Sequence, residues 1–373
     1  DAAEKPVILA GHGVMMSDAV YQLKQFVERT SIPVSTTLLG IGAFPASHPL
    51  NMGMMGMHGT AVANHAIQDA DLLIACGMRF DDRVTGKLDT YSPNSKKIHI
   101  EIDASELNKN VRVDRAICAD LAAVLDQLIP RVSKGQHQTW LKVIDAWRQD
   151  ADARDVINVE SPGLLGAQVI QVLWENTPDD AVIVTDVGQH QMLEAQYYRH
   201  EHPKTLITSG GLGTMGYSLP AAIGVSCYSS EKEIWVIIGD GGFQMCLHEL
   251  AVAVQERSNI KIAIINNGHL GMVRQWQQLF YGTRYTETPI WSPDYTKLAE
   301  AYGIPGYRVE KIDDIVPAMD KVRENDGPAL IEFVVDQYDM VYPMVPAGAD
   351  LHEMIRRPYP VAGTRQTATD TGE

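Results

Sequence analysis

The sequence predicts an α/β protein made of two doubly wound, parallel-sheet domains. Three observations predict it. Short apolar runs recur along the chain and stop at Gly, Asp, Asn or Thr, the pattern of strands buried on both faces of a parallel sheet. Segments with apolar residues at helical spacing separate these runs, as strand–helix–strand units require. The length, 373 residues, accommodates two domains of ordinary size.

Residues 6–10 (PVILA) give the first strand pattern, ending at Gly11-His12-Gly13, a turn that lacks the full dinucleotide fingerprint. Residues 17–29 predict a helix with a Ser or Asp cap. A second strand, 32–36, ends at Thr37-Leu38-Leu39-Gly40; further strands are predicted at 71–76, ending at Gly77, and at 97–102, ending at Asp103. Met52, Met54, Met55 and Met57 read as an adaptable apolar packing segment. Arg79, Asp81, Asp82 and Arg83 read either as a solvated charge cluster or as part of an anion site. Residues 131–162 break the strand pattern. Within them 139–154 predict a polar-faced helix, and Ser161-Pro162-Gly163 leads into the next domain.

The second domain opens with a helical pattern at 164–174 and a strand at 181–185 that ends at Asp186-Val187-Gly188-Gln189-His190. After the glycine-rich stretch 206–216 comes a helix from Tyr217 with Pro220 in its first turn. The central unit is 234–276. One run, 234–238, stops at Gly239-Asp240-Gly241-Gly242; a second, 260–265, stops at Asn266-Asn267-Gly268. Between them Phe243, Cys246, Leu247, Leu250, Ala251 and Val254 recur at helical spacing. Ligands of parallel sheets lie at the carboxyl ends of the strands. Asp240 and Asn267 are thereby placed side by side as hard oxygen ligands, beside a helix start whose N–H groups suit an anion. This combination fits Mg²⁺ bridging a diphosphate. Each cluster alone is also an ordinary strand-end turn. A last strand is predicted at 329–335, and residues 362–373, small and polar, read as a disordered tail.

A net charge of −16 argues against nucleic acid and anionic membranes as partners. An anionic cofactor must therefore be held by local dipoles and metal. No apolar run approaches a membrane span, and no signal peptide opens the chain. Cys76, Cys118, Cys227 and Cys246 lack metal-ligand spacing and are expected as reduced, buried thiols. A cytoplasmic location is expected, with an organelle such as a plastid left open.

The GDG…NN pattern resembles that of thiamine diphosphate enzymes. Its continuation, Gly271-Met272-Val273-Arg274-Gln275-Trp276-Gln277, resembles the acetohydroxyacid synthase (acetolactate synthase) catalytic subunits, a likeness that extends from about Pro6 to Ile355. The resemblance implies that Asp240, Asn267 and a backbone carbonyl near His269 hold Mg²⁺. Gly188, Gln189, His190, Gly213, Met215, Gly239, Gly241, Gly242, Gly271 and Met272 would contact thiamine diphosphate, with Met215 as the wedge that bends it. It implies FAD in the first domain, without net redox work, on Gly11, Thr37, Leu38, Gly40, Met57, His58, Gly77, Arg79, Asp81, Arg83, Glu101, Ile102, Asp103 and Asp120. Arg83 and Trp276 match acceptor-site residues, an arginine for a carboxylate and an indole for a short alkyl group. Residues 340–354 resemble the segment that helps close the site.

The implied domains are 1–130 (FAD-contacting), 131–162 (connector), 163–345 (thiamine diphosphate) and 346–373 (lid segment and tail). The implied reaction decarboxylates pyruvate and transfers the two-carbon unit to pyruvate or 2-oxobutyrate, toward branched-chain amino acids. Implied partners are these 2-oxo acids, further copies in a homodimer or tetramer, and a small regulatory subunit. In the family an amino-terminal domain supplies the glutamate that activates the cofactor. The chain as given is thus expected to bind cofactors without normal turnover. Other readings are a pyruvate oxidase, a glyoxylate carboligase, a 2-oxo acid decarboxylase, or a non-catalytic cofactor-binding subunit. Redox-active flavin would mark the oxidase, and an aldehyde product the decarboxylase.

Overall fold

The structure, a computed structural model, describes residues 2–158, 161, 163–229 and 231–358. The predicted tail and Pro162 lie outside the described residues.

Two six-stranded sheets, every pairing parallel, form the frame. The first contains β1 (Pro6–Ala10), β2 (Val34–Thr36), β3 (Asn51–Met54), β4 (Leu72–Cys76), β5 (Lys96–Glu101) and β6 (Arg115–Cys118), in the order β3-β2-β1-β4-β5-β6. The second contains β7 (Val182–Thr185), β8 (Leu206–Thr208), β9 (Ile234–Gly239), β10 (Ile260–Asn266), β11 (Gly306–Val309) and β12 (Ala329–Val334), in the order β11-β12-β10-β9-β7-β8. In each sheet the winding direction reverses at one seam, between β1 and β4 and between β7 and β9. Such seams open a crevice at the carboxyl ends of the strands.

Alternating side chains of one strand feed cores on opposite faces, as the two-residue strand period demands. Val7 and Leu9 enter one cluster while Ile8 and Ala10 enter another. Ile183 and Val184 divide the same way in the second sheet.

The helix of the predicted connector, Gln138–Asp152, buries Trp140 and Ile144 in the first unit's core. It is fixed there by a Trp140 Nε1–H bond to the Pro6 carbonyl at 3.2 Å. The segment after β12 crosses between units: Val341 packs in the second unit's core, whereas Val345, Leu351 and Met354 pack in the first's. Val345 N–H donates to Met57 O at 2.8 Å.

Three expectations are corrected. The helix expected at 17–29 starts at Val20 without a side-chain cap, because the Ser17 hydroxyl instead donates to Asp120 at 2.7 Å. The helix after β9 breaks into Asp240–Cys246, a 3-10 turn at Leu247–Glu249, and Leu250–Gln255. The tighter turn shifts the register, so Ala253 is buried and Val254 and Ala251 are exposed. Of the four thiols only Cys76 and Cys246 are buried, while Cys118 on an edge strand and Cys227 near a helix end face solvent.

Candidate active site

A cleft of about 1010 Å³ runs between the carboxyl ends of the two sheets. From the second unit it is lined by the ends of β7, β9 and β10. Strand register sets Ile265 against Gly239, so Asp240 and the 266–269 turn share one rim. The Asp240 carboxylate is 1% exposed. Ser292 Oγ–H donates to it at 3.2 Å, and the main-chain N–H groups of Gly241 and Gly268 support it. No basic group pairs with it among the described residues. Burial therefore pushes its pKa up to about 6, against the pull of those bonds.

The seam between β7 and β9 holds the His190 imidazole. A Cβ built on Gly188 would stand 2.8 Å from its Cε1, and one on Gly239 would stand 2.9 Å from it. Glycine at both strand ends is what leaves room for the ring. Burial holds the His190 pKa down to about 4 despite nearby Asp186, and its Nε2 is buried with no partner. Asp186, fully buried at the end of β7, organises the facing turn. Its carboxylate accepts from Gly216 N–H (3.0 Å), Ser218 N–H (3.0 Å) and Ser218 Oγ–H (3.1 Å). This carries Met215 over the β9 turn, with its Cε 3.6 Å from the Cβ position of Gly241.

At the third strand end Asn267 Oδ1 accepts from His269 N–H, and Asn267 Nδ2–H donates to Gln189 Oε1, both at 3.0 Å. A Cβ on Gly271 would lie 2.1 Å from that Gln189 oxygen. Trp276 is half-buried on the cleft wall, edge-on to Phe280 with centroids 5.2 Å apart.

Every second-unit residue expected at the cofactor is on this wall: Gly188, Gln189, His190, Gly213, Met215, Gly239, Asp240, Gly241, Gly242, Asn267, His269, Gly271, Met272 and Trp276. From the first unit Thr37, Leu38, Met57, His58, Gly77, Arg79, Asp81, Arg83, Glu101 and Asp103 join it. Arg79 lies 3.3 Å from Asp81 and Arg83 lies 3.1 Å from Asp82, both pairs at the surface. His58 is half-buried, its ring desolvated so that its pKa is lowered to about 4, with Nδ1 buried and unpartnered.

Four residues expected at FAD stand off the wall. Gly11 and Gly40 serve main-chain packing, since a Cβ there would meet Gly77 O at 2.2 Å and Ala10 O at 2.3 Å. Asp120 caps the helix Leu121–Leu128, and Ile102 is 70% exposed beyond the end of β5.

Sequence reasoning did not single out Asp186, Gln275, or the buried group of Arg274, Asp339 and Arg357. In that group Arg274 donates to Asp339 O at 3.0 Å, and Arg357 pairs with the Asp339 carboxylate at 3.1 Å. For Asp186 a signal existed: it follows its strand just as Asp240 follows β9.

Fold and cleft define a class: a paired α/β protein whose two sheet seams share one pocket suited to a large anionic cofactor. A family model of the thiamine pyrophosphate enzyme central domain matches residues 1–128, and one of the C-terminal thiamine pyrophosphate binding domain matches residues 186–333. The chain belongs to the thiamine pyrophosphate enzymes, among the kin of acetolactate synthase large subunits. It is 46% identical over 364 residues to an acetolactate synthase of Mycobacterium bovis, covering 95% of this chain and 59% of that protein. It is 47% identical over 358 residues to the acetolactate synthase large subunit of Corynebacterium glutamicum (93% and 57%). With the Escherichia coli isozyme 2 large subunit it shares 42% over 361 residues (95% and 64%). The chain thus spans about three fifths of the length of these relatives.

The second-unit wall fits such a cofactor. Asp240 is a buried carboxylate without a counter-charge among the described residues, Asn267 offers a neutral oxygen on the same rim, and His190 presents an orphaned nitrogen at a glycine-lined seam. Hard oxygen donors of this kind suit Mg²⁺.

Proposed function

We propose that the protein works as the catalytic large subunit of an acetolactate synthase, joining a two-carbon unit from pyruvate to pyruvate or 2-oxobutyrate. The observation that carries the reading is the buried Asp240 carboxylate beside Asn267 and the His190 seam, in a cleft shared by both sheets. Thiamine diphosphate, when bound, supplies the carbanion and the electron sink for decarboxylation. Asp240, Asn267 and the His269 main-chain carbonyl hold Mg²⁺, and His190 and Gln189 meet the diphosphate. Met215, which reaches over the β9 turn, would contact the cofactor. The turn at Gly213, tied to Asp186, gives the pyrimidine its main-chain partners.

On the first-unit wall Arg83 receives the acceptor carboxylate, and Trp276 on the second-unit wall faces its alkyl group. FAD binds along Thr37, Leu38, Met57, His58, Gly77, Arg79, Asp81, Glu101 and Asp103 as a structural cofactor. Residues 1–130 and 163–345 act as the two cofactor domains, with 131–162 between them and a lid that includes 346–358. The relatives' name "large subunit" supports a small regulatory partner, and copies of the chain pair as a homodimer or tetramer. No helix among the described residues is long and apolar enough to cross a membrane.

The test is calorimetric titration of thiamine diphosphate with and without Mg²⁺, followed by product analysis from pyruvate. Mg²⁺-dependent binding is expected of this chain, and acetolactate from any preparation that turns over pyruvate. Binding indifferent to Mg²⁺, or acetaldehyde as the product of an active preparation, would refute the reading.

A further inference from the structure

Three polar side chains, Asn267 and Gln189 of the cleft and Gln275 behind it, join into one directed chain. Gln275, fully buried on the helix Gly271–Phe280, is gripped by both polar groups of the Val341 main chain. Its Oε1 accepts from Val341 N–H at 2.9 Å, and its Nε2–H donates to Val341 O at 2.9 Å. The backbone amide has one donor and one acceptor, so this pairing permits only one orientation of the Gln275 carboxamide. Gln275 Oε1 then faces Gln189 and accepts from its Nε2–H at 2.9 Å, a group that also donates to Asp339 O at 3.2 Å. Gln189 must therefore turn Oε1 toward Asn267 Nδ2, which it meets at 3.0 Å. Asn267, its nitrogen committed, is left with Oδ1 on the other side, near the His269 N–H.

We infer that Gln275 is a positioning residue for Asn267. Acting through Gln189, it transmits the seating of the 339–344 segment to the carboxamide that presents oxygen to the cation. The inference rests on the reading of Asn267 as a cation ligand. A flipped Gln189 would offer N–H groups to Asn267 and draw its oxygen away from the site. Gly271 supports the relay by leaving empty the space where a methyl would strike Gln189 Oε1 at 2.1 Å. Because Val341 belongs to the segment that bridges both units, the same relay makes cation affinity depend on that segment being docked.

The probe is Mg²⁺ titrated by calorimetry into the purified chain at saturating thiamine diphosphate, with thermal melting beside it. Gln275→Met removes the acceptor that faces Gln189 and should weaken Mg²⁺ about 10–100-fold, the usual effect of losing a partner that orients a ligand. Gln275→Glu keeps an oxygen toward Gln189 and Val341 N–H but loses the donor to Val341 O. It should melt lower yet hold Mg²⁺ within about threefold of wild type, well below the loss expected of the methionine variant. Gln189→Met combined with Gln275→Met should bind no more weakly than the weaker single variant, since both cut one chain. Should the methionine variant not fold, Gln275→Asn, a methylene too short to reach Gln189, reads the same link. Equal Mg²⁺ affinity in wild type and Gln275→Met, or multiplying effects in the double variant, would overturn the relay alone. A wild-type chain that takes up no Mg²⁺ with thiamine diphosphate would overturn the site reading and the relay with it.

Discussion

Asp186→Asn should destabilise the cofactor-free chain by about 3–6 kcal/mol, although it changes a single atom. The wild-type carboxylate accepts three hydrogen bonds, one from Gly216 and two from Ser218, with no exposure to water. An asparagine must point its NH₂ at one of the two main-chain N–H groups. Whichever way it turns, one donor loses its partner, a cost of about 1–3 kcal/mol, and the remaining bonds lose the roughly 1–1.5 kcal/mol of charge assistance each carries. The turn from Gly213 to Ser218 should loosen with it, so thiamine diphosphate affinity should fall more than global stability requires. Gly242 gives an independent check. Its Cβ position lies 2.5 Å from Asp186 Oδ1. Gly242→Ala should therefore be poorly tolerated in wild type and much better tolerated alongside Asp186→Ala, where the carboxylate is gone. Urea unfolding at constant m-value measures both. A loss below about 1 kcal/mol for Asp186→Asn, the worth of an ordinary neutral hydrogen bond, would refute the reasoning. So would equal cost of Gly242→Ala in the two backgrounds.

In the metal-free chain Asp240→Asn should raise stability at pH 7.5. The folded pKa is raised from 3.8 to about 6, so the ionised form opposes folding above that value and the penalty fades as pH falls through about 6 toward 3.8. At about 1.4 kcal/mol per pH unit the gain is up to about 3 kcal/mol; denaturation at pH 7.5 and 4.5 should show the difference at the first and little at the second. A pH-independent difference counts against it. In active enzyme Trp276→Leu should lower the preference for 2-oxobutyrate over pyruvate by about 1–3 kcal/mol; an unchanged product ratio from mixed substrates removes Trp276 from the acceptor pocket. Chelation of Mg²⁺ should cut thiamine diphosphate affinity by at least about 100-fold, because one uncompensated carboxylate–phosphate pair at about 5 Å costs about 3 kcal/mol at an effective dielectric near 20. Equilibrium dialysis with a chelator tests this, and retained binding would disprove the cation's role.

The interior of both sheets was legible because its strands are apolar on both faces. β1, β4, β9 and β10 are buried almost throughout, and their sequences are apolar runs that admit few other readings. The four strands left unassigned, β3, β6, β8 and β11, are the edges of the two sheets. Each has one unpaired side and incomplete burial, as in Asn51–Met54 and Arg115–Cys118. Their sequences (NMGM, RAIC, LIT, GYRV) carry no run to detect. The missed register after β9 has a similar cause: a 3-10 turn costs a fraction of a residue in helical phase, enough to exchange Ala253 for Val254 on the buried side.

At the site the legible residues are those fixed by topology. Asp240 and Asn267 directly follow central strands, and a parallel sheet brings such positions to one rim whatever surrounds them. The relay through Gln275 has no such signature, because Gln189 and Gln275 are 86 positions apart and Val341 another 66 beyond. A glutamine on an amphipathic helix reads as surface until tertiary packing buries it. The charge balance points the same way. Asp81, Asp82, Glu101, Asp103, Glu106, Asp240, Asp336 and Asp339 line the cleft against Arg79 and Arg83, so the wall as a whole repels an anionic cofactor. Binding must come from a few oriented groups and a cation they hold. Orientation is therefore where the affinity resides, and the side chains that fix it need not touch the ligand.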